Sequence, residues 1–430
     1  MPNPVPAATS ALSPDNWPFS PECLPQPAYL VGGAVRDALL GRQSEYLDLD
    51  FVLPANAVQT ARQIANLCNA GFVLLDAGRQ IARVVFENAT ADFALQEGPT
   101  LETDLHRRDF TVNAIACNPH TGFLIDPLLG CADLQAGLIR MISPTNLQDD
   151  PLRLLRAYRQ ASQLSFTIEP ATAAAIRQLA PSLAQIAAER IRTELSHLLA
   201  TPRGTPQLQT ALQDGLLQTW FPSATLPSVP PLAEIDRSAV QLKETWPELG
   251  AELCREIRDT LKTTLLSIAK LASLVDPNPQ QAEKQLLNLK YSNPEIKATL
   301  AVVKYFPELH PAPKSMPVRE QYFLFRHLGP VFPALAVAAV AAGTPASAIA
   351  PLIRRYLTPE DPVAHPAPLL TGSHLMAALN LPPGPQIGSL LTEIAIARAE
   401  NRISTPEAAL EFAFQQLRGE SATRRNHQNT

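Results

Sequence analysis

Between Tyr29 and Leu53 the chain reads YLVGGAVRDALLGRQSEYLDLDFVL. It opens with an apolar run and a glycine pair, continues through a short helical stretch, and ends in a run where polar and apolar positions alternate. Alternation of period two marks a strand with one buried face. Leu47, Leu49 and Phe51 fall on that face, and Asp48 and Asp50 fall together on the other. Further strand-like runs at Phe72–Leu75, Ala82–Phe86 and Ala91–Leu95 alternate with helical stretches up to residue 142, which predicts an α/β head with a small mixed sheet. From Asp149 onward Leu, Ala and Ile recur at three-to-four spacing, and the chain reads as helical. The class is therefore α+β. Proline-rich breaks at Pro222–Pro231 and Pro359–Pro368 mark joints. They divide the chain into a head (28–142), a helical neck (143–222), a helical body (232–358) and a helical tail (369–415). Residues 1–27, rich in Pro, Ser and Ala without a basic or apolar targeting core, read as a disordered leader.

Two adjacent carboxylates repel unless a cation lies between them. Oxygen ligands with open positions suit Mg²⁺, which takes one or two carboxylates together with substrate phosphates. Asp-Leu-Asp alone would more often be a solvated edge strand. Here Gly32-Gly33 precedes a helix carrying Arg36 and Asp37, where backbone and helix start favour phosphate. The combination implies metal-assisted phosphoryl or nucleotidyl transfer.

Two later clusters add polar groups. In His106-Arg-Arg-Asp-Phe-Thr-Val-Asn113, Arg107, Arg108 and Asp109 lead into an apolar, helix-like run in which a buried Asn113 needs partners. The arginine fork suits phosphate, and the aspartate suits a ribose hydroxyl. In Asp149-Asp-Pro-Leu-Arg-Leu-Leu-Arg-Ala-Tyr-Arg159, Pro151 starts a helix, and Asp150 and Arg153 share a face, as a simple ion pair or as a planar reader. A carboxylate that accepts beside a guanidinium that donates complements cytosine and adenine, and leaves uracil and guanine with unpaired groups. Arg156 and Arg159 follow at helical spacing toward a triphosphate.

LVGGAVRD…DLDFV, RRDFTVNAIA, IDPLLGCADL, DDPLRLLRAYR and ERIRTEL occur in this order. The chain resembles the class II tRNA nucleotidyltransferase and poly(A) polymerase family of the polymerase-β-like superfamily. The likeness is dense over about residues 28–200 and returns over 370–410, which is similar to the tRNA-facing tail of the CCA-adding branch. The resemblance implies a nucleotidyltransferase head, a nucleotide-selecting neck and a tRNA-binding tail. It makes Asp48 and Asp50 catalytic metal ligands for Mg²⁺, with Asp92 as third carboxylate. It puts Gly32, Gly33, Arg36, Arg108, Asp109 and Asn113 on the nucleotide, Asp150 and Arg153 on the base, and Arg156 and Arg159 on phosphate. Glu189, Arg190 and Glu194 look like the brace of the neck helices. The substrates implied are CTP, ATP and the tRNA 3′ end. Many CCA-adding relatives carry a longer charged loop before the RRD motif, and the Phe93–Asp104 segment resembles the shortened form of relatives that stop after two cytidines, which implies a separate A-adding partner. Asp149 stands where the family usually has Glu.

Composition limits the alternatives. A net charge of −5 does not advertise a nucleic-acid binder, but no lysine precedes Lys243, so fixed positive charge in the first half is all arginine. Five scattered cysteines without metal spacing suggest reduced cytoplasm. The apolar run Leu335–Ala342 is too short to span a bilayer. A poly(A) polymerase would share the motifs but often ends in a strongly basic tail, whereas RGESATRRNHQNT is mildly basic. A non-catalytic RNA-binding module would be expected to lose one acid of the Asp48/Asp50 pair, and both are present.

Overall fold

The computed structural model describes residues 11–42, 46–224, 232–258, 263–311 and 316–427, with side chains to 418. These divide into two compact units, residues 1–194 with 210–216 and residues 195–209 with 217–430.

The first unit is built on a seven-stranded sheet. Its elements are β1 (Tyr29–Val31), α1 (Gly33–Leu39), β2 (Leu47–Leu53), α2 (Ala57–Leu67), β3 (Gly71–Asp76), β4 (Ile81–Val85), β5 (Ala89–Leu95), α3 (Leu101–His106), β6 (Ala116–Cys117) and β7 (Leu124–Ile125). The order across the sheet is β3-β4-β5-β2-β1-β6-β7. Only β2 and β5 run parallel, and the remaining pairs are antiparallel. The five expected strands are present; β2 alternates and buries one apolar face, whereas β3 is a continuous apolar run that lies mostly exposed at the sheet edge. Leu49, Phe51 and Phe93 are buried, with Phe51 stacked on Phe93 at 5.2 Å. The helix-like run from Phe110 is instead a single 3-10 turn (Thr111–Asn113) that passes into β6. Buried Asn113 and the edge of the sheet demand hydrogen bonds that a continuous helix would not satisfy.

The disordered leader is corrected for residues 11–27. Trp17, Phe19 and Leu24 are buried, and Trp17 and Phe19 lie 5.1 and 5.8 Å from Phe51, ring to ring. Large aromatic area outweighs a proline-rich composition. Residues 1–10 lie outside the described residues.

The head continues into α4 (Gly130–Ala136), β8 (Leu138–Ile139), α5 (Pro144–Asp149), α6 (Leu152–Leu164), β9 (Thr167–Ile168), α7 (Pro170–Leu179) and the first part of α8 (Ala188–Leu199), and α9 (Gly204–Gln213) is likewise shared between the two units. β8 and β9 pair in parallel, so the neck is not purely helical. The joint expected at 142/143 does not separate compact units. Nine side chains of α6 are buried, and its Gln160 and Arg156 bond to Asn113 and Asp109 of the head.

The second unit is helical apart from one short strand pair among the described residues, Glu256–Arg258 with Thr263–Thr264. In its body, Val318–Ala341 is apolar and long enough to cross a bilayer by length and composition, but it is interrupted at Gly329–Val331 and its apolar window is mostly buried. Of the Pro222–Pro231 joint, residues 225–231 lie outside the described residues, whereas Pro359–Pro368 is a non-helical connection. After it, Leu375, Ile387, Leu390, Ile394, Ala409 and Ala413 form a small core of their own.

Candidate active site

Alternation in β2 sends Asp48 and Asp50 to the face opposite Leu49 and Phe51. The parallel register with β5 sets Asp92 beside Asp50 and Thr90 beside Asp48, and the register with β4 sets Arg83 beside Asp92. The Thr90 hydroxyl donates to Asp48 Oδ1 at 2.7 Å. Arg83 grips both Asp92 oxygens, Nε to Oδ1 at 2.6 Å and Nη2 to Oδ2 at 2.7 Å. Burial, then Asp48, then Asp92 push the Asp50 carboxyl up to about 7, and Arg108 and Arg83 only partly oppose them. An all-oxygen pair of carboxylates, one of them held high by burial and like charge, fits a hard divalent cation. Asp92 lies on the same face but is engaged by Arg83, and among the described residues no group of three carboxylate, histidine or cysteine side chains stands ready to hold a metal.

Gly32 sits at φ 76°, ψ −139° at the start of α1. A Cβ there would lie 3.3 Å from Asp50 Oδ2 and 3.5 Å from Arg108 Nη1, so glycine keeps open the space between acid and guanidinium. Arg108 donates Nη2 to Asp104 at 3.2 Å, while its Nε is buried with no hydrogen-bond partner among the described residues. Such a donor suits an anion. Arg36 holds Asp37 with Nε and Nη2 and donates Nη1 to Asn113 Oδ1 at 2.7 Å.

Asp109, Asn113, Arg156 and Arg159, expected on the nucleotide, are engaged with one another and with the scaffold. Buried Asp109 accepts from Phe110 N–H and Asn113 Nδ2 on Oδ1, and from Arg156 and Gln160 on Oδ2. Burial alone would raise its pKa, but Arg156 and these hydrogen bonds hold it below the usual value. Such saturation leaves little capacity for a ribose hydroxyl. Asn113 also donates to Gln160 Oε1 at 3.0 Å. Arg156 approaches Glu194 at 3.8 Å, and Arg159 donates to Glu194 and to Gln163. With Arg36 and Glu194 the four form a partly buried chain from Arg36 through Asn113 and Asp109 to α6 and α8.

Asp150 and Arg153 flank the start of α6 without pairing. Arg190 of α8 grips Asp150 through Nη1 at 3.2 Å and Nη2 at 2.8 Å. Arg153 Nη1 donates to the carbonyls of Arg107 and Asn146 at 2.9 and 3.0 Å. The anchor is local: Ser143 caps α5, and Asn146 Nδ2 donates to the carbonyls of His106 and Arg108. The read of Arg190 as a neck brace missed its grip on Asp150. Gln160 and Arg83 were missed altogether. Gln160 carried only a helical spacing to Arg156 as a signal, and Arg83 carried none before the strand register was known.

A poly(A) polymerase head-domain model matches residues 28–140, and a tRNA nucleotidyltransferase domain 2 model matches residues 260–413. The chain is 48% identical over 398 residues to a CC-adding tRNA nucleotidyltransferase of Synechocystis sp., covering 92% of this chain and 95% of the relative. It is 34% identical to an A-adding tRNA nucleotidyltransferase of Deinococcus radiodurans, covering 90% and 95%. Its fold is similar to that of a CCA-adding enzyme solved in complex with ATP, at a TM-score of 0.70 and 23% identity, covering 91% of each chain. With its ordered motifs and its acid-and-arginine face accounted for, the chain belongs to the tRNA nucleotidyltransferase and poly(A) polymerase family.

Proposed function

We propose that the chain adds two cytidines to the 3′ end of tRNA from CTP, releases pyrophosphate, and leaves the terminal adenosine to a separate enzyme. Enzymes of this family work with a divalent metal, and we assign Mg²⁺ to Asp48 and Asp50. Held there, such an ion would supply Lewis-acid activation of the tRNA 3′-hydroxyl and would offset charge on the α-phosphate and the leaving pyrophosphate. Gly32 and Gly33 leave room for the triphosphate, with Arg108 and Arg36 as its donors. Asp150 accepts from the cytosine amino group, and Arg153 donates to N3 and O2. We assign Asp48 and Asp50 to the metal and no motif residue to the part of general base, so positioning and electrostatics carry the catalysis. The cytoplasm, where tRNA is processed, is the compartment we assign.

The observation that carries the choice of product is the connection from β5 to α3. Asp150 and Arg153 offer cytosine and adenine the same acceptor and donor, so a switch from C to A needs something that re-aims them. Only residues 96–100 separate the two elements. They are tied at several points: Gln96 N–H to the Leu53 carbonyl at 2.7 Å, Glu97 N–H to Asp104 Oδ1 at 2.9 Å, and Glu97 to Arg107 at 3.0 Å. Gly98 lies at φ +91°, where a Cβ would come 2.6 Å from Thr103 Cγ2. A turn so short and so tethered makes a poor lever. The name of the Synechocystis relative agrees with this reading. The test is to sequence the 3′ ends made from tailless tRNA given CTP and ATP together. Ends in CC are expected. A CCA end formed at the rate of the first two additions would refute the product, and long A tails would mark a poly(A) polymerase.

A further inference from the structure

We propose that Arg83 is a positioning residue of the metal site: it holds Asp92 out of the coordination sphere, so the divalent ion is bound by two carboxylates rather than three. The inference rests on the reading that Asp48 and Asp50 hold the ion.

The register lines up Arg83, Asp92 and Asp50 across three neighbouring strands on one face. By position alone Asp92 would be a third ligand. Its hydrogen bonding separates it from the other two acids. Both of its oxygens are engaged by one guanidinium in parallel, at 2.6 and 2.7 Å. Asp48 accepts a single neutral hydroxyl, and Asp50 accepts no side-chain hydrogen bond among the described residues. A fork-on-carboxylate pair is a strong, directional contact. A cation approaching Asp92 would meet the guanidinium's charge first, whereas Asp48 and Asp50 keep free lone pairs. The pair is close to neutral as a unit. It therefore adds no net attraction for the ion, and it occupies the position where a third carboxylate would bind.

The test is Mn²⁺ binding to the full chain without nucleotide, read by electron paramagnetic resonance, so that activity is not the readout. Arg83→Gln frees Asp92 and removes a repelling charge, and should tighten Mn²⁺ binding by about tenfold. Arg83→Gln with Asp92→Asn removes the pair together, and should bind Mn²⁺ within about threefold of wild type. Arg83→Met with Asp92→Asn repeats the comparison without the Gln–Asn hydrogen bond, which guards against a misfolded variant. A loss of about tenfold or more in both double variants would make Asp92 a ligand and overturn the proposal. Unchanged binding in Arg83→Gln would remove Arg83 from the site. Asp48→Asn with Asp50→Asn should abolish binding, and retention there would instead sink the two-acid metal reading itself.

Discussion

Asp50 shares one sheet face with Asp48 and Asp92, and only Arg108 and Arg83 oppose the charge that lifts its carboxyl to about 7. Replacing Asp48 or Asp50 by Asn removes a proposed metal ligand while leaving Arg36 and Arg108 in place. Cytidine incorporation should fall by at least about a thousandfold. Binding of labelled CTP should persist, and near-normal turnover in either variant would dismiss the assignment. Asp109 plays the opposite part, a buried acid with every bond filled by the scaffold. Its pKa is depressed in the fold, so its stabilisation is fully present above the unfolded value of 3.8 and is lost as pH falls through the lower folded value. Asp109→Asn should destabilise the protein by about 3 kcal/mol at neutral pH and flatten the acid limb of its melting-temperature profile. An unchanged acid limb would mean the buried network carries little of the stability.

The end of α5 and the start of α6 hold Asp150 and Arg153, the proposed readers of the base, by different means. Arg190 orients Asp150, and two backbone carbonyls orient Arg153. Asp150→Ala should relax discrimination against UTP, because nothing then repels the uracil carbonyl. Arg153→Ala should weaken CTP binding directly, since the donors to N3 and O2 are gone. An unchanged CTP-to-UTP ratio in both would reduce these residues to helix-end contacts. At this scale the sequence was legible where a period is local. Leu47–Leu53 declared its strand and both acids, and Pro151 marked the start of α6. Contacts between distant strands left no trace, so neither the β2–β5 register nor Arg83 beside Asp92 could be read. The run after Phe110 misled because apolar residues bury equally well in a 3-10 turn and a strand. Trp17 and Phe19 were hidden within proline-rich surroundings, although they pack on Phe51.

For the whole molecule, a formal charge of −5 must be reconciled with a polyanionic substrate. General attraction is unfavourable, so tRNA has to be held by a few local cations. Several candidates are already engaged inside the protein. Lys270 is fully buried against Asp236 at 2.7 Å, and Arg140 and Arg159 are held by internal carboxylates. Arg319 is likewise paired at the surface with Glu393. With few phosphates neutralised, tRNA affinity should depend only modestly on salt. The slope of log K against log salt should be shallower than about −4, measured by filter binding of tailless tRNA. Lys270→Met should leave that slope unchanged, because the ammonium never meets solvent, while lowering stability by about 3 kcal/mol through an unpaired Asp236. A slope near −10 would mean broad phosphate tracking by many side chains. That outcome would contradict a recognition mode built on a small number of placed cations.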